Sequence, residues 1–524
     1  MEQNLLNLEY RKRIIAEIKG DENVQRKISS YKKQNMQNDN FYQYVKEYLE
    51  GKLDYDTVKE MHIFANINLQ RRVSKAESSI YKKEPMRDFF IGDKESEDIE
   101  LIYEDMDVNT CLKRANEAYK YQDQCCIQIY PEENKLKPRV LLPHHYDVIP
   151  SHKDPEKAFA YIISNFDNTT RDKIRRDDNS TGFSQGDKYR DMTNQAIADY
   201  DDPKLKHERY YVWTDELNFV MNGRGEILDK ETQQVLESFI DNDPNIMSPL
   251  AEFGCLPFVD ISKAKDFEYW VRSGDSLYDA TIMYNVILTS EYQTVEMQGH
   301  AQPYYKGDAE HMPENIRVGV DKMIFIPVNP NNEVSSEFGF ANTGADLGGV
   351  REFRESFLSA FLSSRGLDTS IISGSPTTST ASSGIEKLLQ MIEKFEASQE
   401  DFSMFAKVEN RMLEIISCWI ASYRGERFNG ELLLSDIYQV QFSDPSDVTL
   451  SLEYAKPEII KTDMELLDIA QKEIEMGLSS RVHALMEYRN LTMEQAVKRI
   501  KEIDQLELGS DLNDGNIQAK VLEE

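Results

Sequence analysis

Three sets of residues in this chain are chemically suggestive. His144, His145 and His152 carry ring nitrogens that can ligate a metal. No Cys or carboxylate stands at a zinc-like spacing from them, so no metal site is expected. The run SGSPTTS, residues 373–379, offers hydroxyl nucleophiles, but it is not a GxSxG elbow. The one histidine downstream is His483, in an acidic tail. Arg71, Arg72 and Lys75 form a basic patch that reads either as a phosphate contact or as an ordinary solvated face. There is no GxxxxGK[ST] phosphate loop and no GxGxxG after a strand. With 93 Asp and Glu residues, no carboxylate pair stands out as catalytic. The expectation is a protein without an active site and without a cofactor.

The elements around SGSPTTS are more informative than its hydroxyls. VREFRESFLSAFLSS places Val350, Phe353, Phe357 and Phe361 at three- and four-residue steps, which predicts a helix with those four on one face. Gly366 is its expected stop, because glycine takes the left-handed cap conformation without a Cβ penalty. The loop GLDTSIISGSPTTSTASSG follows. A second helix is predicted from Gly384 to Tyr423, carrying Ile385, Leu388, Ile392, Phe395, Phe402, Phe405, Val408, Met412, Ile415 and Trp419. At 1.5 Å per residue it would be roughly 55–60 Å long, far beyond an average globular helix.

Upstream, residues 1–95 read as helices. NLLNLEYRKRIIAEIKG ends at Gly20, and Asp54 to Lys82 reads as one helix carrying Val58, Met61, Phe64, Ile67 and Leu69. From about 96 to 260 short strands dominate: the hairpin CCIQIY–PEENK–LKPRVLLP, then HHYDVIP, AFAYIISNF, ERYYVWT and NFVMN. Residues 166–206 are polar and read as an exposed insertion or long hairpin. SLYD opens a helix from Ser276 to about Gln298, and IRVGVDKMIFIPVNP reads as two short strands. IYQVQFSDP is strand-like. The tail from Pro457 is helical and acidic, with a stop at Gly477 and a capping box at Thr492 and Gln495. The fold class is therefore α+β.

Composition narrows the partners. A formal net charge of −32 over 524 residues argues against a basic nucleic-acid-gripping face, since phosphate affinity comes mainly from Lys and Arg. It is compatible with a surface past which DNA slides, and it keeps a protein soluble. The five cysteines are odd in number and form no CxxC pair, which fits a reduced, intracellular setting. The N-terminus MEQNLLNLEYRKRII has no apolar signal core, and no apolar run is long enough to span a membrane.

The order of these elements resembles that of the portal proteins of tailed double-stranded DNA bacteriophages. FANINLQRRVSKAESSIYKKEP is similar to the family's early helix and short strand. YDVIPSHKDPEKAFAYII resembles its wing strand pair, and ERYYVWTDELNFVM its next aromatic-rich strand. AEFGCLPFVDI resembles the strand before the stem, and SGDSLYDATIMYNVILTSEYQTVE the stem helix. SSGIEKLLQMIEKF resembles the start of the long helix, and GLSSRVHALMEYRNLTMEQAVKRIKEID the C-terminal helix pair. The matches cover most of residues 55–505. The stretch 166–206 and the first 50 residues have no counterpart in the pattern.

The resemblance implies a mainly helical portal fold assembled as a ring, usually of twelve subunits, at one capsid vertex. It implies an α/β wing over 1–270, a stem helix over 271–300 and a small β-containing clip over 301–348. A second stem helix over 349–365 would follow, then a tunnel loop over 366–383. The long wing helix and returning strand would occupy 384–456, and a helical crown with the tail 457–524. The loop would present Arg365, Thr369, Ser370, Ser373, Ser375, Thr377, Thr378 and Ser379 to double-stranded DNA, without sequence specificity. The clip, with Asp308, Glu310, Glu314 and Arg317, would bind the terminase large subunit and later a head-completion adaptor. Major capsid and scaffolding proteins would be further partners, and the virion the location, after assembly in the host cytoplasm. In this family the portal does not hydrolyse ATP. The other readings are an acidic hydrolase or nucleic-acid-processing enzyme with an unidentified carboxylate site, and a different phage structural protein such as a minor head or baseplate component.

Overall fold

The structure is a computed structural model. It describes residues 2–53, 58–59, 61–164, 208–236, 243–271, 276–298, 302–306, 337–341, 347–367, 384–428 and 431–454, and short segments between 471 and 501. It is a mixed helix-and-sheet protein, 50% helical and 19% strand among the described residues. The chain divides into two compact units. One comprises Met1–Ser383 with Ile392–Ala455, and the other Gly384–Met391 with Lys456–Glu524. In the second unit, helical turns are described at 471–472, 474–475, 481–483 and 496–501, and Ala496 is buried. The capping box at Thr492 and Gln495 lies outside the described residues, as do 165–207, the strands expected in IRVGVDKMIFIPVNP, and Gly477.

The first unit opens with α1 (Glu2–Leu5), α2 (Leu8–Ile18), α3 (Asp21–Gln37), α4 (Tyr42–Glu50) and α5 (Leu69–Glu77). Asn7 caps α2 by accepting from the Glu9 N–H at 2.9 Å. α3 is mostly polar, yet it buries Lys27, because Asp147 takes that ammonium at 2.5 Å and the Arg26 guanidinium at 2.7 Å. A charge so buried is tolerable only when it is paired.

The single helix expected over Asp54–Lys82 is not formed. Residues 62–68 form neither helix nor strand, and α5 starts only at Leu69, where Asn68 Oδ1 caps the Arg71 N–H at 2.9 Å. The apolar spacing of Phe64, Ile67 and Leu69 serves both a non-helical strip and a helix start. Tertiary partners, described below, select the former.

Strands β1 (Met86–Ile91) and β2 (Lys94–Glu95) lead into α6 (Glu97–Asp105) and α7 (Val108–Gln122). The region that reads as strands from residue 96 thus begins with two helices. The expected hairpin then follows as β3 (Gln124–Glu132) and β4 (Lys135–Leu141), turning through Glu133 and Asn134 at φ +51° and +63°. β5 (Tyr146–Pro150), β6 (Ala158–Ser164), β7 (Tyr210–Trp213), β8 (Asn218–Met221) and β9 (Ile227–Leu228) form a five-stranded antiparallel sheet in sequence order. β10 (Phe258–Ser262) adds antiparallel to β3.

Next come α8 (Ser276–Gln298), β11 (Gln302–Lys306), β12 (Glu337–Ala341), α9 (Leu347–Ser363) and α10 (Gly384–Tyr423). β11 and β12 pair antiparallel. The short pair β13 (Arg427–Phe428) and β14 (Glu431–Leu432) precedes β15 (Val448–Glu453), which pairs with β1 along its whole length. IYQVQFSDP is not a strand. Asp436–Tyr438 is a single 3-10 turn, and the following carbonyls of Val440 and Phe442 are taken by the Arg424 guanidinium at 3.3 and 3.1 Å. Buried Tyr438, whose hydroxyl donates to Asp105 at 2.8 Å, pins the turn.

The largest core gathers α5 to α7, β3, β4, β10, α8, α9 and the second half of α10. A second core lies where α2 meets the five-stranded sheet, and a third joins α4 to α8 through Tyr44, Val45, Leu49 and Ile282. No helix among the described residues is long and apolar enough to cross a membrane.

Candidate functional site

The helix–strand pair–helix run from α8 to α9, followed by α10, is the segment around which the sequence is organised. Each of its three helices is tied to one stretch of the N-terminal layer, residues 64–91.

On α8, Thr281, Asn285 and Thr289 follow each other at steps of four on one face, and all three are fully buried. Thr289 Oγ1 accepts from the Phe64 N–H at 3.0 Å. Asn285 accepts from the Ile67 N–H at 3.3 Å and donates to the Ile67 carbonyl at 2.8 Å. Thr281 Oγ1 accepts from the Gln70 N–H at 2.9 Å. Asn285 and Thr289 thereby supply partners for the non-helical backbone of residues 64–67, and Thr281 takes a first-turn N–H of α5, which answers the requirement that buried N–H and C=O groups be paired. The Thr281 and Thr289 hydroxyls donate back to the carbonyls of Leu277 and Asn285, both at 2.8 Å. This ladder went unread in the sequence. Its visible signal is the T-xxx-N-xxx-T spacing itself.

α9 packs on α8, and Arg354 reaches Glu291 at 2.5 Å. The helix ends as expected at Gly366, with φ +65°. The buried stripe differs from the expected one by a residue. Leu358 and Leu362 are buried, Phe357 and Phe361 lie partly buried beside them, and Phe353 is 61% exposed. Just past the helix, the Arg365 guanidinium makes a two-pronged pair with Glu77 of α5, at 2.7 and 2.8 Å. Both side chains are largely buried. Arg365 is thus held inside the first unit and is not an open cation.

α10 has the bounds that the sequence predicts, and its 40 residues give a length of about 60 Å. In its second half Phe405, Val408, Met412, Ile415, Ile416, Trp419 and Ile420 are buried, and the Trp419 indole N–H donates to the Ile129 carbonyl at 3.0 Å. One buried carboxylate interrupts this face. Glu409 takes the Arg87 guanidinium of β1 at 2.5 Å and the Tyr81 hydroxyl at 2.8 Å. Burial pushes the Tyr81 phenol well up, and the neighbouring Glu409 charge pushes it further. Burial alone would lower Arg87, but the hydrogen bond and charge of Glu409 hold its pKa above the usual value. The cluster is a charge-neutral tie between α10 and β1.

The remaining candidates fall as follows. Thr369, Ser370, Ser373, Ser375, Thr377, Thr378 and Ser379 of the loop lie outside the described residues, as do Asp308, Glu310, Glu314 and Arg317. His144 shares a hydrogen bond with Ser30 Oγ at 2.8 Å, His145 accepts from the Leu142 N–H at 3.0 Å, and His152 is exposed. Among the described residues no group of three His, Cys, Asp or Glu side chains converges to hold a metal. Arg71 pairs with Asp39. All five cysteines are free and buried. Burial pushes the Cys111 thiol up to about 12.

Some apolar side chains of these helices are partly exposed among the described residues: Met283, Tyr292 and Val295 on α8, and Phe353 on α9. No family model matches this chain, and no curated protein matches it.

Proposed function

We propose that this chain is a phage portal protein, the ring-shaped channel through which double-stranded DNA is packaged, retained and ejected at one capsid vertex. The observation that carries the reading is the run of α8, the strand pair β11–β12, α9 and the 40-residue α10, with apolar residues left exposed on the first and second helices. In this reading α8 and α9 are the stem, and the exposed Met283, Tyr292, Val295 and Phe353 meet neighbouring copies in the ring. A heterologous contact that closes by rotation gives a ring rather than a filament.

The strand pair leads into the clip, where terminase and then a head-completion adaptor dock. The hydroxyl-rich loop 366–383 faces the DNA, α10 crosses the wing, and the helical tail forms the crown. A net charge of −32 suits a wall past which phosphates must slide without being gripped. Motor chemistry belongs to the terminase.

Negative-stain microscopy of the purified full chain tests the proposal. The expected result is rings of about twelve-fold symmetry with a central hole. Compact monomers at every concentration overturn it.

A further inference from the structure

Cys255 and Cys418 are distant in sequence and meet inside the first unit. Cys255 follows the 3-10 turn Ala251–Phe253 and Gly254, just before β10. Cys418 sits near the C-terminal end of α10. Two ties hold these segments together. Ser422 Oγ, one helical turn beyond Cys418, donates to the Pro249 carbonyl at 2.8 Å. The Trp419 indole N–H donates to the Ile129 carbonyl, and the Ile129 N–H donates to the Pro257 carbonyl at 3.0 Å. Pro249 and Pro257 flank Cys255, and Trp419 and Ser422 follow Cys418. The two cysteine side chains are thereby brought together, and their thiols share a hydrogen bond.

The pair is not symmetric. The shared hydrogen bond lowers the pKa of Cys255 and raises that of Cys418, as it does where the Cys418 S–H donates to the Cys255 sulfur. Burial works against the Cys255 thiolate, but the Arg411 guanidinium favours it through its charge and a hydrogen bond, and outweighs the opposing charge of Glu414. The other three thiols lie on the far side of their ordinary value: burial pushes Cys111, Cys125 and Cys126 up. Low-pKa thiols beside a cation are the reactive ones.

Both cysteines are buried, with 2% and 3% of their surface exposed, so a bulky reagent is kept out. A small one has a route. Leu256, next to Cys255 in the chain, and Arg411 both line a cavity of about 440 Å³ between β10 and α10. Lys157 and Lys407 line it too and are exposed, so the cavity meets solvent. The turn before Cys255 also has room to shift. Gly254 has φ +55°, and a Cβ added there would meet nothing within 4 Å. A modest shift of that turn is what takes two sulfurs from a hydrogen-bonded contact to the ~2.05 Å of a disulfide.

We propose that Cys255 and Cys418 are a peroxide-sensitive dithiol that closes reversibly to an intramolecular disulfide and staples the start of β10 to the end of α10. The Cys255 thiolate attacks one oxygen of hydrogen peroxide. The O–O bond breaks, the leaving hydroxide takes a proton to become water, and Cys255 becomes a sulfenic acid. Cys418 then loses its proton, its sulfur displaces the hydroxyl group from Cys255, and a second water leaves. The two thiols lose two electrons in all, and the peroxide gains them. A dithiol reductant reopens the bond by exchange. The inference goes beyond the portal reading and does not need the ring.

The test is treatment of the reduced full chain with hydrogen peroxide, then alkylation with iodoacetamide in guanidinium chloride and digestion without reductant for mass spectrometry. The expected result is a linked peptide pair carrying Cys255 and Cys418, with three of the five thiols still alkylated. The melting temperature is expected to rise by a few degrees, because the bond closes a long loop of the unfolded chain. Dithiothreitol is expected to reverse both changes. Cys418→Ser is expected to stop Cys255 at the sulfenic acid, which dimedone traps. Arg411→Gln is expected to slow disulfide formation about tenfold, with an unchanged melting temperature of the reduced chain. The inference is overturned if all five thiols remain alkylatable after peroxide, or if the bond joins other cysteines or two chains. It is equally overturned if Cys418→Ser gives no dimedone adduct on Cys255, or if Arg411→Gln reacts at the wild-type rate.

Discussion

Individual charged residues in this chain act mainly as ties, and their worth depends on what surrounds them. Arg365 looks in sequence like a cation at the mouth of a loop, and in the structure it is a two-pronged partner of Glu77. Glu409 is one of 93 carboxylates, and only its full burial against Arg87 and Tyr81 distinguishes it. Lys230 shows the opposite case, a cation that burial penalises. Desolvation lowers its pKa to about 8, from the ordinary lysine value of 10.5. Its folded pKa lies below the unfolded one, so between about pH 8 and 10.5 the unfolded chain holds the extra proton and folding gains as pH rises. At pH 7 the charged form costs stability. Lys230→Gln is therefore expected to raise stability at pH 7 by about 1 kcal/mol, discounted for partial exposure, and to flatten the pH dependence over that window. Urea unfolding at pH 7 and pH 10 checks both signs.

At the scale of elements, length and spacing separate what folds by itself from what needs a neighbour. α10 is a long run of good helix formers with one apolar face, and its ends at Gly384 and Tyr423 follow from sequence. The non-helical strip 62–68 is different. Its spacing permits a helix, and Asn285 and Thr289 on α8, more than 200 residues away, take its backbone groups at Ile67 and Phe64 instead. Asn285→Leu leaves the Ile67 N–H and C=O buried and unpaired, and is expected to cost about 3 kcal/mol. Thr289→Ala removes a single acceptor and is expected to cost about 1 kcal/mol. Denaturant midpoints of the two variants test this order, and equal losses would mean that the ladder is not what holds the strip.

For the whole molecule, the open question is what covers the apolar residues of α8 and α9. Charge alone keeps an acidic chain dispersed, so assembly must come from such faces and not from general stickiness. Phe353→Glu combined with Val295→Glu adds two charges at exposed positions and is expected to leave the melting temperature and helical circular dichroism unchanged. If these residues meet neighbouring copies, the double variant shifts the chain to monomer in sedimentation velocity, while Leu101→Glu, at an exposed position of α6, leaves assembly intact. Unaltered assembly of the double variant would remove α8 and α9 from the ring contact.

Sequence alone determined the α+β class, the hairpin of β3 and β4, the bounds of α8 and α10, and the glycine stop at Gly366. Each of these is local: periodicity, a turn residue or a cap acts within a few positions of itself. Tertiary structure decided the non-helical strip before α5, the irregular path of IYQVQFSDP, the pairing of β15 with β1, the clamp on Arg365 and the cavity between β10 and α10. Each of these depends on groups far apart in the chain, where a buried donor must find an acceptor or a charge its counter-ion, and no local pattern of residues records that meeting.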